Sequence, residues 1–395
     1  MIQPFNFARI PHLIFGAGKL NELYNIIPQF GENILFVIGE SSLKKSGKWE
    51  EIIYNLENKS LKYYQITISG EPSPHLIDEA AAKFRRKKID LVVGIGGGSV
   101  TDGGKAISAM ILKEDSIKNY LEGVGNKVHD GKKIPYIAIP TTSGTGSEAT
   151  KNAVISEIGP NGFKKSLRHD NLIPNIALID PNLMLSCPSA VSAACGMDAF
   201  TQLLEAYVSP KANPMTDTLA LNGMKFINKN ILLACSSGAA NIEVRASMAY
   251  GSLMSGITLA NAGLGIIHGL ASSIGGLFNI PHGVICGAIL AEATKINIQK
   301  LQIQGTHGRK PLIKYAEIGD LLSEQKYRTL GKIEEKCSNL IEILESWTEN
   351  LKLERLCNYG IKTEDVDIIV EKTGLKNNPV RLKKDDIKTI LINRL

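Results

Sequence analysis

Short apolar runs separated by glycine-rich or polar turns fill the first half of the chain. His12–Phe15 ends at Gly16 and Asn33–Ile38 ends at Gly39; Tyr63–Ile68, Leu91–Gly94, Tyr136–Pro140 and Ile176–Asp180 follow. Brief apolar runs bounded by turn signals read as buried strands. Between two of them, Ile77–Lys87 has the length and spacing of a helix. Val154–Glu157 and Phe163–Ser166 flank Gly159-Pro160-Asn161-Gly162, which predicts a hairpin. Strands alternating with helices predict a largely parallel sheet covered on both faces.

After Pro181 the pattern changes. Periodic apolar segments of helical length succeed one another: Ser189–Val208, Met215–Leu233, Ile242–Ala260, Ile266–Leu277, His282–Ile296, Ile313–Ser323, Ile333–Leu351 and Glu364–Lys372. The expected organisation is an α/β domain over residues 1–182 and an all-helical domain over residues 183–395, joined near Asp180–Ser189. A cleft between two such domains is a usual place for a small-molecule site.

Composition narrows this little, but charge and cysteine usage do. The chain has 395 residues, 44% hydrophobic and 21% charged, which is ordinary globular composition with length for two cores. Its net charge of +6 is scattered, and the basic cluster Lys83 to Lys88 reads as the solvated face of a helix rather than a nucleic-acid patch. No charged residue lies between Arg245 and Glu292, yet Asn261, His268, Asn279, Pro281 and His282 interrupt the stretch. Buried helices around a site are expected there, not a membrane span. Six cysteines without a C-x-x-C pair, and no secretory leader, predict free thiols and a cytoplasmic protein.

Three constellations carry candidate chemistry. The first is Leu91–Met110, where a strand runs into Gly96, Gly97 and Gly98. Ser99 sits where a helix N-cap belongs, with Asp102 at capping-box spacing. Glycines let backbone approach a phosphate, and the free N–H groups of a helix start point at it. The second is Pro140–Glu148, rich in hydroxyls, where Thr145 and Glu148 again have capping-box spacing ahead of an expected helix. Two such loops after two strands of one sheet open at the same carboxyl edge, which favours a dinucleotide. The third is Asp198, Gln202, His268 and His282. Asp198 and Gln202 share a helix face, and a carboxylate, an amide oxygen and two imidazoles form a donor set for a divalent transition metal. Taken alone, each histidine also reads as a hydrogen-bonded core residue.

Gly96-Gly97-Gly98-Ser99 with Asp102 and Lys105, Pro140–Glu148, Gly196-Met197-Asp198-Ala199, Glu205-Ala206-Tyr207, Gly265–Gly283 and Asn377-Asn378-Pro379 resemble the iron-containing (group III) alcohol dehydrogenases. The resemblance covers nearly the whole chain. It implies a Rossmann-like N-terminal domain binding NAD, with NADP as the alternative, and an all-α C-terminal domain holding Fe2+ or Zn2+, the fold shared with dehydroquinate synthases. It matches Gly97, Gly98 and Ser99 to the pyrophosphate cradle. Thr141, Thr142 and Thr145 match contacts of the second loop, and Lys164 a cofactor-binding lysine, with Lys165 beside it. Glu40, after the second strand, matches the acidic position that meets the adenosine ribose.

Two positions depart from the family pattern. Gln202 stands where a histidine usually completes the metal set with Asp198, His268 and His282. Ser272 stands where a histidine acid/base is usual, one turn after His268. The expected function is NAD(P)-dependent interconversion of a small alcohol and its aldehyde or ketone, by a homodimer or larger homo-oligomer, with no nucleic-acid or membrane partner. The alternatives are a metal-independent reductase resembling maleylacetate reductases, a 3-dehydroquinate synthase-like lyase and a nucleotide-binding pseudoenzyme.

Overall fold

The structure, a computed structural model, describes residues 2, 4–323 and 332–395. Its eight strands are β1 (His12–Phe15), β2 (Asn33–Gly39), β3 (Lys62–Ile68), β4 (Leu91–Gly96), β5 (Tyr136–Pro140), β6 (Asn152–Glu157), β7 (Phe163–Arg168) and β8 (Ile176–Ile179). Six form a parallel sheet in the order β1-β8-β5-β4-β2-β3, and β6 and β7 form the expected antiparallel hairpin. From β2 the chain steps outward to β3, crosses back to β4, and then steps the other way to β5 and β8. Gly96 lies opposite Pro140, so the loops after β4 and β5 leave the sheet side by side at its carboxyl edge.

Alternation along the strands divides their side chains between two cores. Leu35, Val37 and Val92 pack with Ile77, Phe84 and Ile107 on one face. Ile34, Phe36, Leu91 and Val93 pack with Trp49, Ile52 and Leu56 on the other. Burial on both faces explains the near-continuous apolar runs. Each fully buried aliphatic side chain contributes roughly 1.5–3 kcal/mol.

The second half of the chain is helical from Ser189–Val208 onward. Pro214–Ala234, Ile242–Ala262, Ile266–Leu277, His282–Ile303, Arg309–Leu322, Ile333–Asn350 and Val366–Lys372 follow. The segment expected from Ile313 begins at Arg309, because Pro311 sits in the first turn, where its missing N–H costs no helix bond. A last helix, Lys384–Ile392, has an apolar stripe too short to stand out in the sequence. No single helix among the described residues is long and apolar enough to cross a membrane. Ile242–Ala262 and Ile266–Leu277, which carry most of the charge-free stretch, meet at 99°. Both contribute to the helical core.

Two local expectations are corrected. The helix after β4 is capped by Gly97, whose backbone is extended, so Gly98 and Ser99 lie inside the helix and Ser99 is not its N-cap. Asp102 does not close a capping box with Ser99; it accepts from the hydroxyl of Ser147. The second loop leads into no α-helix. It makes one tight turn, Ser147–Ala149, and passes into β6. Gly146 adopts φ +60° there, and a Cβ on it would lie 2.5 Å from the backbone nitrogen of Gly256. The loop backbone is thus pressed onto the helix Ile242–Ala262, which only glycine permits.

Candidate active site

The nucleotide side of the site is built from two loops packed against each other. A Cβ on Gly98 would fall 2.5 Å from Thr145 Cγ2, and one on Gly97 would fall 3.3 Å from Thr142 Oγ1. Thr141 N donates to Gly96 O at 2.9 Å. Behind the loops lies Lys105, fully buried, whose Nζ donates to Ser147 O at 2.8 Å, Ser147 Oγ at 3.1 Å, Thr150 Oγ1 at 3.0 Å and Asn152 O at 2.8 Å. Burial pulls its pKa down to about 8. Asp102, 3.8 Å from Lys105 Nζ, completes this brace. The start of the helix Gly98–Met110 therefore presents free N–H groups on a rigid support, the requirement for a phosphate site.

Gly98, Ser99, Asp102, Thr145 and Lys164 line a cleft of about 530 Å³ between the sheet and the helices. Gly97, Thr141 and Thr142 are not among the lining residues; they support them, through the contacts of Gly97 with Thr142 and of Thr141 with Gly96. Lys164 is buried and pairs with Glu71 at 2.9 Å, whereas Lys165 is exposed, so Lys164 is the lysine of this pair that reaches the cleft. Glu40 follows β2 at the same sheet edge, exposed, and accepts from Ser69 Oγ at 3.2 Å.

The opposite wall of the cleft carries the second donor set. Asp198, Gln202 and Glu205 project from one face of the helix Ser189–Val208, since spacings of four and three return to the same side. His268 comes from Ile266–Leu277, and His282 opens His282–Ile303. His268 Nε2 lies 3.2 Å from Asp198 Oδ1, and His282 Nε2 lies 3.7 Å from the same oxygen. Gln202 lines the cleft beside them, and its Oε1 accepts from Ser255 Oγ at 2.7 Å. Burial pushes the pKa of His282 down to about 3. Burial also opposes ionisation of Asp198, but His282 and His268 outweigh it and hold Asp198 below the usual carboxylate range.

Three residues that the sequence reading did not assign complete this wall. Glu205 Oε2 lies 2.7 Å from His268 Nδ1, and its other oxygen accepts from Ile267 N at 2.7 Å. A carboxylate on Nδ1 fixes the ring so that Nε2 faces the donor set. Cys286 Sγ lies 3.8 Å from Nε2 of both His268 and His282. Lys376 Nζ donates to His268 O at 3.0 Å and reaches Ser272 Oγ at 3.4 Å. Ser272 itself donates to His268 O at 2.7 Å. The signal for Cys286 was its position one turn after His282. That for Glu205 was its place on the face of Asp198 and Gln202.

The donor chemistry suits a divalent metal. One oxygen of Asp198, one nitrogen of each histidine and the sulfur of Cys286 all lie within 4.8 Å of one another. Tetrahedral sites with bonds of about 2.0–2.3 Å have donor separations of about 3.3–3.8 Å.

A glycine-rich strand-to-helix turn facing a metal-type donor set across one cleft is the arrangement expected of a nucleotide-dependent dehydrogenase. Family models cover both halves of the chain: "Iron-containing alcohol dehydrogenase" matches residues 11–181, and "Fe-containing alcohol dehydrogenase family, C-terminal" matches residues 192–395. The chain belongs to the iron-containing alcohol dehydrogenase family. It is 30% identical to an NAD-dependent methanol dehydrogenase of Bacillus methanolicus over 399 residues, 99% of this chain and 100% of the relative. It is 36% identical to long-chain-alcohol dehydrogenase 1 of Geobacillus thermodenitrificans over 278 residues, 70% of this chain and 69% of the relative. The crystal structure of a 1,3-propanediol oxidoreductase superposes with a TM-score of 0.87 at 27% identity, over 100% of both chains. The protein is an NAD(P)-dependent oxidoreductase acting on CH–OH groups.

Proposed function

We propose that this enzyme interconverts a small alcohol and its aldehyde or ketone, with NAD(H) preferred over NADP(H). The observation that carries the reading is the shared cleft: Gly98, Ser99 and Thr145 line one end, and Asp198, His268 and His282 the other. A volume of about 530 Å³ must take the nicotinamide end of the cofactor as well as the substrate, which favours a short one. Val191, Leu259, Leu264 and Val284 give it an apolar wall.

In this reading the backbone of Gly97 and Gly98, with Ser99, receives the pyrophosphate. Thr141, Thr142 and Thr145 shape the second side of the cofactor groove. Lys164 supplies a positive charge beside it. Glu40 meets the adenosine ribose, where a carboxylate bonds hydroxyls and repels a 2′-phosphate. Asp198, His268 and His282, with Gln202 beside them, would hold Fe2+ or Zn2+, which when bound supplies a Lewis acid for the substrate oxygen. Orientation of the carbinol carbon toward the nicotinamide falls to the cleft walls. Ser272 occupies the position of the acid/base histidine, and its hydroxyl, with Lys376 beside it, marks the exit for the substrate proton.

Cytoplasmic residence agrees with six free thiols. A homo-oligomer belongs to the same proposal. The sheet ends in the edge strand β1, beside which Ile10 is 45% exposed, and an unpaired edge is a template for association. The test is oxidation of NADH and NADPH with a panel of short and long aldehydes and ketones. Turnover of short aldehydes with NADH is expected. Cofactor binding without turnover across the panel contradicts the proposal.

A further inference from the structure

Gln202 is a weak candidate for completing the metal set, because an amide oxygen is neutral and this one already accepts a hydrogen bond from Ser255. Cys286 has the opposite character. It is fully buried, and its sulfur is equidistant, at 3.8 Å, from Nε2 of His268 and of His282. It stands one turn along the helix that His282 opens, so one backbone segment delivers both donors. That helix start is held in place at Gly283, where a Cβ would lie 2.3 Å from Ala194 O on the helix bearing Asp198.

We propose that Cys286 is a metal ligand, so that this chain binds its ion through Asp198, His268, His282 and a thiolate, with Gln202 a positioning residue hydrogen-bonded to Ser255. The inference rests on the metal-assisted reading given above. The separations of 3.2, 3.7, 3.8 and 3.8 Å among these donors match the edges of a tetrahedral site with little rearrangement. A thiolate and a carboxylate together neutralise a divalent ion in this buried place. Softness of the sulfur selects Zn2+, and its spectroscopic substitute Co2+, over harder ions. The side open to a further donor is the cleft side, where the ring of His282 is 20% exposed.

The test is titration of chelator-treated protein with Co2+, read by near-ultraviolet absorption and by calorimetry. The wild type is expected to bind one equivalent with a sulfur-to-cobalt charge-transfer band. Cys286→Ser is expected to lose the band and at least ten-fold in affinity, while Gln202→Ala and Cys195→Ser, the latter at a second cysteine lining the cleft, keep the band. Tight Co2+ binding by the wild type without the band overturns the thiolate ligand and leaves the metal reading standing. A band that survives in Cys286→Ser does the same. No Co2+ binding by wild type that still binds NADH overturns both readings. The wild-type spectrum is decisive even where Cys286→Ser fails to fold.

Discussion

His268 Nδ1 stands 2.7 Å from Glu205 Oε2, while Nε2 of the same ring stands 3.2 Å from Asp198 Oδ1. Two carboxylates from one helix therefore clamp the imidazole at both nitrogens. The outer one sets the tautomer and the inner one belongs to the donor set. Glu205→Gln is expected to weaken metal binding by about 10–100-fold, the usual effect of losing such a partner, with NADH affinity unchanged. Calorimetric metal titration measures this. Unaltered metal affinity would show that the histidine is held by its helix alone.

Cofactor choice is expected to depend on Glu40. Its carboxylate is exposed at the carboxyl edge of β2 and bonded only to Ser69 among the described side-chain contacts. Glu40→Ala should narrow the preference for NADH over NADPH, read by fluorescence titration of both. Tighter NADPH binding by the wild type would remove this role.

Gly98 is needed for contact between two loops as well as for access to the backbone. Because a Cβ there would meet Thr145 at 2.5 Å, Gly98→Val should push the second loop away and reduce NADH affinity at least ten-fold. The urea midpoint should change little, since the clash is confined to the cleft edge. A folded variant with unchanged affinity would make the loop a turn only.

Glu148 gives a pH-dependent prediction for stability. It is buried, and burial pushes its pKa up to about 7. A carboxyl whose folded pKa is raised binds more protons folded than unfolded, so stability falls as pH rises between the unfolded value near 4.5 and the folded value near 7. Glu148→Gln removes that loss. Its gain over wild type should be small at pH 4.5 and on the order of 1–3 kcal/mol at pH 8, measured by urea unfolding. A gain independent of pH would mean that Glu148 is neutral or solvated throughout.

The sheet and most helices were legible because period and run length are local properties. The buried run of β2, Ile34 to Ile38, could hardly be anything but a strand covered on both faces. The capping boxes at Ser99 and Thr145 were misread for two different reasons. Asp102 is claimed by Ser147, and the loop after β5 is turned by its contact with Gly256. The donor set was legible in Asp198, His268 and His282, which share a small region of the structure. Cys286 was not assigned, since only the packing of Ile266–Leu277 against His282–Ile303 brings its sulfur to His268 as well as to His282. Nor could spacing disclose that Ser255 holds the oxygen of Gln202.

Chelation and reconstitution decide whether turnover at this site depends on a metal ion. NADH-dependent reduction of a short aldehyde is measured on protein as purified, after removal of metal, and after return of Zn2+ or Fe2+, beside Asp198→Ala. Turnover is expected to disappear on chelation, to return with metal and never to appear in Asp198→Ala, while NADH binding persists throughout. Turnover that survives complete metal removal, or that Asp198→Ala retains, would contradict it.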